Sequence, residues 1–247
     1  MNRFKMILSF FSTIPVKNVQ FIESELGKGI RMLPLVGIMF GCLIGGLFML
    51  LQLLNIENRI SAFFIILFYI FLTGGLHLDG VADTCDGIFS HRSKERILEI
   101  MKDSRIGTFG VVSLIVLLLG DWLFLSKSTV FVIIVFPIIG RCIALWTCRM
   151  STYAREEGFG NQFIIEAKNT RSLIVFIFFI VLICAGSIVF HQIEVIVAII
   201  FTYLIMIAII KRINRKLDGI TGDVIGFSIE FSQMCFLCLV LIGGKFI

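Results

Sequence analysis

The chain has 247 residues, of which 58% are hydrophobic and 16% are charged, and its mean hydropathy is +1.01. This composition excludes an ordinary soluble domain and is typical of a protein built from membrane-spanning helices. The net charge of +5 arises from basic residues scattered among short polar segments, without the dense basic run typical of nucleic-acid binding. We therefore expect lipid, and no nucleic acid, as a partner.

Seven apolar runs are long enough to cross a bilayer, which takes about 20 residues. They predict spans at residues 33–54, 60–78, 106–125, 130–150, 173–190, 193–210 and 224–244. No secretory signal is evident before the first run, so we expect the first span to direct insertion. The sequence thus predicts an all-α, polytopic membrane bundle that forms a single domain over residues 1–247.

The distribution of basic residues predicts the orientation of this bundle. With Arg149 counted, at the end of the fourth span, alternate segments carry 18 Lys and Arg, against 3 in the others, and Arg141 lies inside the fourth span. Because cytoplasmic segments hold the excess of basic residues, we expect the amino terminus in the cytoplasm and the carboxyl terminus outside. The predicted location is the cytoplasmic (inner) membrane.

Polar segments on the predicted inner side carry the informative patterns. Residues 93–103 place Ile97, Ile100 and Met101 at helical spacing among charged residues, which predicts a short amphipathic helix along the inner surface. It follows a glycine-rich and acidic segment at residues 74–87, GGLHLDGVADTCDG, at the inner end of the second span.

Three carboxylates in that segment, Asp79, Asp83 and Asp86, are spaced by four and then three residues. A helix would place all three on one face, where like charges repel one another. Carboxylate oxygens at a membrane boundary suit Mg²⁺ or Mn²⁺, which complete their shells with water and phosphate oxygens. We predict a divalent-metal site here, and a solvated acidic helix end is the alternative. His77 is either a site residue or a packing residue.

Ionisable residues within two of the later spans extend the hypothesis of a metal site. Asp223 and Glu230 are seven residues apart at the start of the seventh span, so a helix would align them as further metal ligands. Ionisable groups inside a span are costly and usually face a bundle interior. Glu230 and Arg141 are therefore functional candidates, or they pair with each other structurally.

Cations on the same predicted side of the membrane suit phosphate groups. Lys102 and Arg105 flank Asp103 in one run, Arg155 precedes two glutamates, and Lys216 follows the sixth span. The chain contains no phosphate-binding loop, no Gly-x-Ser-x-Gly and no His-Glu-x-x-His. Acidic metal ligands together with basic phosphate ligands indicate phosphoryl-type transfer on a substrate with a phosphoanhydride.

The chain closely resembles the cobalamin synthase (adenosylcobinamide-GDP ribazoletransferase) family of membrane enzymes. The resemblance runs nearly end to end and is carried by residues 73–87 and 98–108, supported by residues 14–16, 34–37, 153–158 and 221–223. One departure is Leu217-Asp218-Gly219, where the family usually has a Gly-Gly pair and therefore greater backbone freedom.

The resemblance implies that a hydroxyl of α-ribazole, or of its 5′-phosphate, attacks adenosylcobinamide-GDP at the phosphorus nearest cobinamide and displaces GMP, with Mg²⁺ as cofactor. We expect the catalytic residues to be Asp83, Asp86 and Arg105, with Asp86 as the base. The expected metal ligands are Asp79, Asp83, Asp86, Asp223 and Glu230. The expected substrate contacts are His77, Lys102, Asp103, Arg141, Arg155 and Lys216.

Two other functions remain open at this stage. A CDP-alcohol phosphotransferase also uses clustered aspartates in membrane helices, but its Asp-x-x-Asp-Gly-x-x-Ala-Arg spacing differs from that of residues 79–87. A divalent-cation transporter would spread its acidic residues across the depth of the membrane, whereas these cluster at one predicted boundary. The sequence also leaves open whether the protein forms a homo-oligomer.

Overall fold

The computed structural model describes residues 2–245, and within that range the chain forms twelve α-helices and no β-strand. In chain order these are α1 (Asn2–Phe11), α2 (Glu23–Gly29), α3 (Leu33–Leu53), α4 (Asn58–Thr73), α5 (Leu76–Phe89), α6 (Lys94–Ile100), α7 (Thr108–Leu125), α8 (Val130–Arg149), α9 (Gly160–Ala167), α10 (Thr170–Val189), α11 (Glu194–Leu217) and α12 (Gly222–Gly243). A short 3₁₀ turn, Ile30–Met32, joins α2 to α3.

Six of the helical segments are long and apolar enough to cross a membrane, and the α4–α5 pair supplies a seventh if it counts as one span. The predicted all-α membrane bundle is confirmed. The span boundaries also agree with the prediction within a few residues, except in the second span and at α11. That helix continues to Leu217, so Lys211 and Lys216 lie in a helix and not in a loop.

The second predicted span is wrong in one respect, because it is not a continuous helix over 60–78. α4 ends at Thr73, and α5 leaves it at 90°. The two residues between them, Gly74 and Gly75, have φ angles of +64° and +73°. Residues with a Cβ rarely adopt this left-handed backbone conformation, so the glycine pair explains why the chain can turn here.

The core of the bundle is formed by α3, α8 and α12. Gly37 and Gly41 of α3 face the backbone of α8 at Ile138 and Ile134, and a Cβ at either glycine would collide with it. Small residues at such a contact let two membrane helices approach closely. α8 and α12 are mostly buried, whereas α7 and α10 are mostly exposed at the periphery of the bundle.

One end of the bundle gathers the segments that the sequence analysis singled out, and we call it the site end. It contains α5, α6, the 150–159 segment and the 218–221 turn. Tyr153 and Ile220 form a parallel bridge, Lys94 of α6 pairs with Asp218 at 3.0 Å, and Thr13 donates its N–H to the Leu72 carbonyl at 2.9 Å. These contacts fix the loops around α5.

Candidate active site

The acidic helix α5 packs against the beginning of α12. Gly80 lies in this contact, and a Cβ there would come within 2.6 Å of the Asp223 carbonyl oxygen. The segment is helical as predicted, so the spacing of Asp79, Asp83 and Asp86 places them on one face. Asp79 is exposed, and Asp83 and Asp86 are half-buried.

Asp86 joins α5 to the first turn of α7. Its two carboxylate oxygens accept the backbone N–H groups of Gly107, at 2.7 Å, and Gly110, at 2.9 Å. A Cβ on either glycine would collide with this carboxylate. Asp86 thus caps α7 from another helix, where the unpaired N–H groups and the helix dipole favour an anion.

Asp223 and Arg155 form an ion pair beside the acidic face. Arg155 donates from Nη2 to Asp223 Oδ2 at 2.9 Å, and the Thr221 hydroxyl donates to the same oxygen at 3.1 Å. Asp83 lies within electrostatic range of Asp79, Asp223, Asp86 and Arg155. The fold therefore brings together five of the predicted site residues from α5, α12 and the 150–159 segment.

The segment that carries Arg155 is held in place by backbone contacts. Ala154 donates to the Ile220 carbonyl at 2.9 Å, and Ile220 donates to the Thr152 carbonyl at 2.8 Å. The turn before Ile220 contains Asp218, which has a φ of +54°. Asp tolerates this left-handed conformation better than most residues do, so it can occupy this turn.

Glu230 lies deeper and has a different partner from the one that the sequence analysis considered. Glu230 Oε1 lies 3.1 Å from His77 Nδ1, and both side chains are buried. Arg141 instead donates to the Tyr69 hydroxyl and to the Pro137 carbonyl. The alternative in which Glu230 and Arg141 pair with each other is therefore wrong.

The remaining predicted contacts lie at the periphery of the site end or in the core. Arg105 pairs with Asp103 at 2.7 Å on the exposed segment before α7, and Arg105 lowers the pKa of Asp103 to about 2. Lys102 is exposed on the same segment, and Lys216 donates to the Ile88 carbonyl at 2.6 Å at the end of α5. Arg141 is fully buried under the Phe40 ring.

The carboxylates at the site end fit Mg²⁺ by their donor chemistry. In the part of the chain that the structure describes, no three His, Cys, Asp or Glu side chains form a ready-made metal site. Yet Asp79, Asp83 and Asp223 supply the oxygen ligands that Mg²⁺ prefers, and Arg155 is the cation within electrostatic range of Asp83. A divalent cation would offset the excess negative charge.

Comparison with known proteins decides the family. Residues 3–241 match the family described as Cobalamin-5-phosphate synthase. The chain belongs to this family. It is 38% identical to the adenosylcobinamide-GDP ribazoletransferase of Clostridium acetobutylicum, with 96% of this chain and 95% of the relative covered. Its identity to the enzyme of the same name from Alkaliphilus oremlandii is 39%, covering 94% of this chain and 93% of the relative. No solved structure matches the chain.

One buried carboxylate of this cobalamin-5-phosphate synthase family member was missed from the sequence. Asp121 lies in α7, is 9% exposed and is close enough to Glu230 for the two charges to interact. The signal was present, since an acidic residue inside an apolar span is a functional candidate. It was not singled out because it lies only four residues from the predicted end of its span.

Proposed function

We propose that the protein transfers the cobinamide-phosphate group of adenosylcobinamide-GDP to α-ribazole or α-ribazole 5′-phosphate and releases GMP. This is the nucleotide-loop assembly step of cobalamin biosynthesis. The family membership and the names of the relatives support the reaction. The observation that supports this site is that Asp79, Asp83, Asp223 and Arg155 lie together at one end of the bundle.

The reaction breaks one bond of the diphosphate and forms one phosphodiester bond. The acceptor hydroxyl attacks the phosphorus nearest cobinamide, the bond to the GMP oxygen breaks, and the hydroxyl proton passes to a base. Mg²⁺ bound by Asp79 and Asp223 would neutralise charge on the diphosphate and on the departing GMP. Positioning and charge stabilisation are then the main tasks of the protein.

Asp83 is a better base than Asp86, which the sequence favoured. Both oxygens of Asp86 accept backbone N–H groups of α7, which leaves this carboxylate a positioning role. Asp83 makes no side-chain hydrogen bond within residues 2–245 and lies within electrostatic range of Arg155, Asp223 and Asp79. It is therefore free to accept the proton of the attacking hydroxyl.

Arg155 would bind the diphosphate. One of its nitrogens is committed to Asp223, and its buried Nε has no partner among the described residues. The remaining donors of a guanidinium can bind phosphate oxygens in a bidentate arrangement. Arg105 and Lys102, on the exposed segment before α7, would contact the nucleotide from the periphery.

The decisive experiment supplies purified protein with adenosylcobinamide-GDP, α-ribazole and Mg²⁺ and detects the product by mass. We expect adenosylcobalamin and GMP in equal amounts. The Asp83→Asn variant and a reaction without α-ribazole serve as controls. If no product forms while the protein carries Mg²⁺ into proteoliposomes, the transporter is the correct function.

We also propose that the site end faces the cytoplasm from the inner membrane. The basic residues support this orientation, because the segments at the site end belong to the set that carries 18 Lys and Arg, against 3 in the alternate set. Nucleotides are available in the cytoplasm, so the same orientation suits a reaction that uses a GDP-linked substrate and releases GMP.

A further inference from the structure

A small internal cavity lies between α4, α5, α7, α8 and α12, and the proposed reaction makes no use of it. Its volume is about 10 Å³, which is close to the space that one buried water molecule occupies. Four polar residues contribute to its wall, among apolar side chains: Tyr69, Thr73, Asp121 and Glu230. These four residues provide the polar partners that a buried water molecule needs.

Asp121 provides the clearest indication of a ligand. Its side chain is nine-tenths buried, and Oδ1 has no hydrogen-bond partner within the described residues. The charged group within electrostatic range is Glu230, which is itself a carboxylate. An unpaired carboxylate oxygen in such a place is unfavourable, so a donor should satisfy it.

Tyr69, which also lines the cavity, has a donor available. Its hydroxyl oxygen accepts hydrogen bonds from Arg141 Nη1 and from Gln233 Nε2, the latter at 3.0 Å. These two bonds use both lone pairs of the hydroxyl oxygen, so its own O–H is left to donate. Because Tyr69 lines the cavity, an acceptor bound there can take this hydrogen.

We propose that the cavity binds one water molecule, which accepts from Tyr69 and donates to Asp121 and Glu230. Three hydrogen bonds are the usual number for a buried water. Because Glu230 also pairs with His77 of α5, the water links Asp121 of α7 to the helix that carries the acidic face. Asp121 is thereby a positioning residue for α5.

The effect on turnover rests on the proposed function, but the water and the position of α5 do not. The test therefore compares two variants by hydrogen exchange of the full-length protein. Asp121→Asn keeps an oxygen that can accept from the water. Asp121→Val removes that oxygen and fills part of the cavity. Amides of α10, remote from the cavity, serve as the internal reference.

We expect α5 amides to exchange about five- to tenfold faster in Asp121→Val, which corresponds to the loss of about one hydrogen bond. In Asp121→Asn the exchange rates of the α5 amides should stay within about twofold of wild type. The exchange rates of the α10 amides should do the same in both variants. Equal exchange rates of the α5 amides in Asp121→Asn and Asp121→Val, whether fast or slow, would overturn the proposal.

A second measurement decides the matter if the valine variant does not fold. A wild-type density map that resolves bound waters should show one peak within hydrogen-bonding distance of Asp121 and Tyr69. A dry cavity would overturn the proposal.

In turnover, Asp121→Val should lower kcat about tenfold with KM unchanged. A wild-type protein without transferase activity but with the expected exchange pattern would refute the proposed function alone.

Discussion

Three aspartates that look equivalent in the sequence differ in their surroundings. Asp86 has both oxygens bound by backbone N–H groups, Asp83 is half-buried without a side-chain hydrogen bond among the described residues, and Asp79 is exposed. Spacing predicted their common face, but the partner of Asp86 lies more than 20 residues further along the chain. The roles of the three therefore became separable only in three dimensions.

Asp83→Asn should abolish most turnover while the fold is retained. Asparagine has nearly the same shape but does not accept the proton, and loss of a general base typically costs about 100-fold or more in kcat. Removing one of several like charges should not lower the thermal unfolding midpoint. Steady-state kinetics and thermal unfolding in detergent measure the two effects. Glu99→Gln, at an exposed ion pair on α6, is the matched control.

Asp86→Asn should behave differently, because this side chain caps α7. An amide presents an N–H₂ group to one of the two backbone donors, so one hydrogen bond is lost and the favourable interaction of the anion with the helix dipole disappears. We expect a loss of about 1–2 kcal/mol, or about 3–6 °C in the unfolding midpoint. An unchanged midpoint together with abolished turnover would instead support Asp86 as the base.

At the level of elements, the break between α4 and α5 determines the geometry of the site. Hydropathy indicated one continuous span because Leu76 and Leu78 extend the apolar run. The glycine pair with positive φ angles turns the chain by 90° and lays α5 against α12 and α7. A straight helix would continue along α4 and would not bring Asp86 to Gly107.

Substitutions at Gly75 test this bend without steric interference. A Cβ at Gly75 would meet nothing within 4 Å, so alanine introduces only the strain of a left-handed conformation, about 1–2 kcal/mol. We expect Gly75→Ala to lower the unfolding midpoint and the turnover together. Gly75→Asn should lose less, since asparagine tolerates positive φ. Thermal unfolding and kinetics of both variants provide the comparison, and equal losses would contradict it.

At the scale of the whole molecule, the fold assembles distant segments at one end of a membrane bundle. Residues from the second predicted span, the segment before α9 and the beginning of α12 converge there. The number of spans and the basic residues predicted this grouping, since these segments fall on the same side of the bilayer. Contacts between them, such as the Arg155–Asp223 pair, confirm that they meet.

Cysteine labelling of the full-length chain tests the orientation. Lys102→Cys lies at the site end and Lys127→Cys in the connection between α7 and α8, at the opposite end. In intact cells a membrane-impermeant maleimide should label position 127 and not position 102, and both should react after lysis. The unsubstituted chain, which has seven cysteines, gives the background. The reverse pattern would place the site end outside.

The sequence by itself determined the helical membrane architecture, the approximate spans and the family, because hydropathy and local spacing are properties of contiguous residues. It also placed Asp79, Asp83 and Asp86 on one helical face. Only the tertiary structure decided that Asp86 caps α7, that Glu230 pairs with His77, and that Asp121 borders a water-sized cavity. These pairings join helices far apart in the chain, and no local periodicity encodes them.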